Sequence, residues 1–123
     1  MEKEIIENLE KNKYLSEKLS IIKELIKKGN LKEAYYKLAL MLEYINIKYI
    51  KAKFNIDLKD SSVINILETY ENKDKFLEDN MKVINVEYND VNMSDLEIID
   101  LEYLASYIDF MYKHMVNNIG EFI

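Results

Sequence analysis

The chain has 123 residues and a formal net charge of −6, from 17 cationic side chains against 23 acidic ones, and 49% of its residues are hydrophobic. That length predicts one domain over residues 1–123, and that apolar share excludes wholesale disorder. Cysteine is absent and every cation counted is a lysine, which excludes disulfides and thiolate metal sites and removes the forked arginine contacts typical of phosphate recognition.

With no proline and only Gly29 and Gly120, little in the chain breaks helices. The first helix is predicted over Glu2–Lys28. Leu15, Leu19, Ile22 and Ile26 recur at steps of three and four, and Ile5 and Leu9 extend the row upstream. Lys27 and Lys28 suit the carbonyl end of a helix dipole, and Gly29 supplies a left-handed stop. Asn30 is placed to cap the second helix, with Glu33 at the capping-box position behind it.

The second helix carries two apolar rows. Leu31, Tyr35, Leu38, Leu42, Ile45, Tyr49 and Ala52 follow unbroken 4-3 steps, widened by Ala34 and Met41, and read as the core face. Tyr36, Leu40, Ile47, Ile50 and Phe54 lie about a third of a turn away, interrupted by Glu43. A helix apolar on two faces is either central in its bundle or shared with another chain.

Asn55–Asp60 reads as a turn, and Asp60, Ser61 or Ser62 is placed to cap a short third helix with Val63, Leu67 and Tyr70. Asn72–Asp74 is a second break. Phe76, Leu77, Met81 and Ile84 then predict a helix to about Asn85, with irregular chain to Met93. Ile84, Val86 and Tyr88 alternate with polar residues in a way that also suits a short extended segment. Ser94 with Glu97 forms a second capping box, opening a last helix on Ile98, Leu101, Ala105, Ile108, Tyr112, Met115 and Ile119. Tyr103, Tyr107, Phe110 and His114 flank that row. The sum is an all-α, antiparallel bundle of about five helices.

The stretch LSEKLSIIKELIKKGNLKEAYYKLALMLEYINIKYIKAKFNI, with Gly29, Ala34, Ala39 and Glu43, resembles the first half of a HEPN domain. SSVINILETY is similar to the short helix that follows there, and EYNDVNMSDLEIIDLEYLASYIDFMYKHM to the closing helix. The resemblance rests on apolar pattern and spacing across nearly the whole chain. Active members carry an arginine followed four to six residues later by a histidine near the start of the last helix. Here that place reads Glu87, Tyr88, Asn89, with no arginine, and no histidine before His114. The resemblance therefore implies a degenerate, non-catalytic HEPN-like domain that scaffolds, dimerises or accompanies a toxin or nucleotidyltransferase partner.

Chemistry-bearing residues are sparse. His114 is the single histidine and has no evident nucleophile or metal partner. Glu43, inside an apolar arc, is expected to bond a lysine or tyrosine as structural glue. No Glu-x-x-His pair of the di-metal bundles occurs, so neither cofactor nor metal is expected. No apolar run approaches the roughly 20 residues that span a bilayer, and the first residues lack a secretory layout, so a cytoplasmic protein without membrane contact is expected. The acidic balance opposes direct nucleic-acid binding. The expected function is protein binding, with Tyr36, Leu40, Ile47, Ile50, Phe54, Tyr103, Tyr107 and Phe110 forming a homodimer contact. The alternatives are an acidic inhibitor that blocks a basic partner, and a small enzyme with a site of no familiar pattern.

Overall fold

The computed structural model describes residues 8–59 and 62–123. Within them are five helices: α1 (Lys13–Lys27), α2 (Leu31–Phe54), α3 (Val63–Tyr70), α4 (Lys75–Asp90) and α5 (Ile98–Ile119). The all-α bundle read from the sequence is the fold observed, with α2 at its centre, packed against α1, α5 and α3. Tyr14 of α1 stacks on Tyr44 of α2, so these neighbours run antiparallel. Tyr49 of α2 meets Asn118 of α5 while Tyr35 lies beside Tyr103, so that central pair runs in one direction, which departs from the antiparallel arrangement expected from the sequence.

The predicted first helix is interrupted. Its proposed start, and Ile5 with it, lie outside the described residues. Asn8 and Leu9 are helical, Glu10–Asn12 turn, and α1 begins only at Lys13. The Asn12 carboxamide accepts from Leu15 N at 3.0 Å, and Asn12 N donates to Leu9 O at 3.2 Å. A side chain that caps so readily competes with continuation of the helix. At the other end Gly29 takes φ +77°, as the αL stop requires. Asn30 precedes α2 but does not cap it; its amide instead donates to Glu33 Oε2 at 3.0 Å.

Ser62 is the cap of α3, accepting from Asn65 N at 3.2 Å, while Asp60 and Ser61 are outside the described residues. Asp74 caps α4 through Leu77 N at 3.0 Å. The helix that follows runs to Asp90, past the predicted end at Asn85. Helical spacing wins there because Met81 and Ile84 are buried and Tyr88 half-buried, whereas Val86 is exposed; an extended strand would put Ile84, Val86 and Tyr88 on one side. The second capping box sits three residues later than predicted: Asp100 accepts from Glu97 N at 2.9 Å, and Ser94 instead closes a turn on Asn92.

The core gathers Leu15, Leu19 and Ile22 of α1, the 4-3 row of α2, and Leu101, Ala105, Ile108 and Met115 of α5. Each such side chain contributes about 1.5–3 kcal/mol on burial. Ala52, Ile98 and Ile119, assigned to core rows by spacing, lie in the end turns of their helices and are exposed. The last residues fold back: the Phe122 ring packs 5.5 Å from Tyr49 and 5.7 Å from Tyr112, and Ile123 O accepts from the Asn12 amide. No helix among the described residues is long and apolar enough to cross a membrane.

Candidate functional site

The second row of α2 does not form one surface. Tyr36 is 58% and Leu40 40% exposed, while Ile50 is fully buried. Ile50 lies one turn beyond Asn46, which Tyr70 of α3 meets, and its full burial removes it from any interface. Phe54 is half-buried, with Tyr49 edge-on and the Lys53 and Lys73 ammoniums each 5.7 Å from its ring. Ile47 is half-buried. What stays open is Tyr36 and Leu40, joined across the α1–α2 groove by exposed Ile21, with Lys18 and Lys37 beside it.

Tyr103 and Phe110 are 54% and 53% exposed on the outer side of α5. Because α2 meets α5 through its buried row, this face and the Tyr36–Leu40 face lie on opposite sides of the bundle. The single contact expected from the sequence is therefore two separate faces. Tyr107 is half-buried and donates its hydroxyl hydrogen bond to Glu87 on α4.

The α4–α5 face is larger than the sequence suggested. Phe76 stacks on His114 at 4.3 Å and Glu87 bonds Tyr107, which fixes an antiparallel register and sets Val83 beside Phe110. Phe76, Val83, Val86, Ile99, Tyr103 and Phe110 are all exposed along these two helices. At about 150–250 Å² for a fully exposed aromatic ring and less for an aliphatic chain, the six expose on the order of 500 Å². A patch of that size is as large as any on a typical monomer and is often functional.

At one end of this face a cleft of about 210 Å³ opens between Tyr35, Glu87, Asp90, Val91, Asp100 and Tyr103. Three carboxylates line it and, among the described residues, no cation does. Burial, then the neighbouring Asp100 charge, holds the Glu87 carboxyl above its ordinary value against the opposing hydrogen bond from Tyr107. Burial, Glu87 and Asp100 push the Tyr35 hydroxyl up to about 12. No group of three His, Asp or Glu side chains among the described residues has the geometry to hold a metal ion. The cleft's chemistry is that of a receptor for an organic cation, with carboxylates for charge and ring faces for cation–π contact. Sequence reading missed it because Glu87, Asp90 and Asp100 come from two helices. The available signal was segmental charge: residues 83–112 hold seven carboxylates and no lysine or histidine.

His114 sits at the other end. Its Nε2 is 2.9 Å from Asp74 Oδ2 and 3.2 Å from the Asn118 amide nitrogen. One ring nitrogen cannot donate to the carboxylate and accept from the amide together, so Nε2–H serves Asp74 and the amide serves Tyr49 Oη at 3.1 Å. The pair ties the start of α4 to the end of α5; Asp74, Asn118 and Phe76 offer the ring no nucleophile. Glu43 is half-buried, and its charge bears on the Tyr88 hydroxyl. No family model, no curated protein and no solved structure matches this chain.

Proposed function

We propose that this chain is a non-catalytic interaction protein whose exposed helix faces bind protein, including a second copy of itself. The observation that carries the reading is the presence of two apolar faces, each about half exposed, over an interior that is already filled. Contiguous apolar surface of this kind marks contact sites. The α1–α2 face suits self-pairing: around Ile21, Tyr36 and Leu40 its rim carries both signs, Lys18 and Lys37 with Glu17 and Glu33, and a mixed rim can match itself across a twofold axis. A degenerate HEPN-like domain accompanying a partner fits the same role.

The test is sedimentation equilibrium at micromolar concentration. A dimer is expected, weakened by at least about tenfold in Leu40→Lys, which sets a charge in the contact. A monomer throughout that range removes the self-pairing, and a dimer indifferent to Leu40→Lys and Tyr36→Lys moves it off this face.

A further inference from the structure

The opposite face differs in charge. Residues 83–112 contain seven carboxylates and no lysine, so 17 lysines and 16 acidic residues remain for the rest of the chain, a balance of +1. The net negative charge of the protein therefore belongs to the segment from mid-α4 through most of α5. The lysines bounding it are occupied: Lys82 lies 3.7 Å from Glu78 and Lys113 3.0 Å from Asp109. A second copy would bring this face either seven more carboxylates or a near-neutral surface. Nucleic acid is repelled, and the cleft is not a metal cage.

We propose that the α4–α5 face docks a basic amphipathic segment of another protein, with a lysine ammonium or arginine guanidinium in the cleft between Tyr35 and Tyr103. The segment's apolar side chains lie along Val83 and Phe110. Three features converge on that occupant. The cleft supplies carboxylates from Glu87, Asp90 and Asp100 with two tyrosine rings. α4 ends at Asp90, so the partial negative charge of its last carbonyls adds to theirs. The apolar row continues from Tyr103 to Phe110 at helical spacing, the layout that receives a helix laid in a groove. Apolar contact supplies affinity, and the carboxylates select the sign of the partner and speed its approach. The inference rests on the reading that the chain acts by binding protein, but not on its self-pairing.

The probe is a synthetic helical peptide with leucine and phenylalanine on one side and arginine on the other, compared with the same peptide carrying glutamate for arginine. Amide chemical shifts are followed by NMR and affinity by calorimetry. The arginine peptide is expected to shift Tyr35 and residues within 83–112, and to weaken with salt. Glu87→Gln with Asp100→Asn, which keeps the acceptors for Tyr107 and for Glu97 N, should weaken binding about tenfold, as should Phe110→Ser. Glu17→Gln with Glu24→Gln removes the same charge from α1 and should leave binding unchanged, and circular dichroism checks that every variant is folded. Equal binding of the glutamate peptide, shifts spread over the α1–α2 face, or equal weakening by the α1 variant overturns the proposal. So do shifts in 83–112 that grow with protein concentration in the absence of peptide, which assign the face to a second copy. A dimer that ignores the peptide defeats this inference alone; a monomer that binds it defeats only the self-pairing.

Discussion

Asn46 and Tyr70 offer the sharpest test of the interior. Both are fully buried, the Tyr70 hydroxyl donates to Asn46 Oδ1 at 2.6 Å, and the Asn46 amide donates to Leu42 O at 2.8 Å. Burial drives the Tyr70 hydroxyl well above its ordinary pKa, with Tyr49 and Asp74 adding to it, so the group stays a neutral donor. Tyr70→Phe deletes the donor and strands the Asn46 carbonyl away from water, at a cost of about 1–3 kcal/mol. Asn46→Leu strands the hydroxyl and should cost a similar amount, less the gain from an apolar side chain. The double variant strands neither group. It should lie well above the sum of the single losses, with a coupling of about 1–2 kcal/mol in a cycle measured by urea unfolding. Thermal midpoints should follow at roughly 4 °C per kcal/mol for a domain of this size. Single losses that add to within about 0.5 kcal/mol would refute the reasoning, since independent sites add and bonded partners do not.

Three other outcomes are expected. The Tyr88 hydroxyl is buried with no hydrogen-bond partner, so Tyr88→Phe should be neutral or stabilising by up to about 1 kcal/mol on urea unfolding. Asp74→Ala removes both the α4 cap and the His114 contact and should cost about 1–2 kcal/mol, whereas Asp74→Asn retains the cap and should cost less. Glu87 in the folded chain holds its proton to a higher pH than the ordinary 4.5, so just above that value the folded state binds more proton than the unfolded one. Stability should therefore fall as pH rises through that window, and Glu87→Gln should flatten the slope in unfolding curves taken across it.

Helix identity was legible wherever apolar residues kept 4-3 steps and a specific residue ended the run. Gly29 is the clear case, because its φ of +77° is one that few other residues adopt. The row from Leu101 to Met115 needed only its spacing. Asn12 was missed because a single asparagine between Leu9 and Leu15 is compatible with a continuous helix until its carboxamide turns back onto Leu15 N. The end of α4 was missed because Ile84, Val86 and Tyr88 satisfy two periods in sequence, and only the packing of Tyr88 against Tyr35 selects one. Site residues were harder still. Spacing groups Ile50 with Leu40, but whether a helix lies over either depends on where α3 ends, which the pattern of α2 does not contain.

That dependence explains why apolar surface is left over. At 1.5 Å per residue α2 is about 36 Å long, whereas the 8 residues of α3 cover about 12 Å, enough for the turns around Asn46 and Ile50 and too short to reach Leu40 or Tyr36. α1, at 15 residues, packs along one flank of α2 and leaves Tyr36 and Leu40 exposed beside it. α4 likewise shelters Tyr107 through Glu87 but, lying beside α5, leaves the outer turns at Tyr103 and Phe110 uncovered. Exposure on both faces thus follows from helix lengths that do not match, and the two faces differ in what they can accept. The one with lysines and glutamates interleaved tolerates its own copy, while the one that holds nearly all the net charge favours a cationic partner.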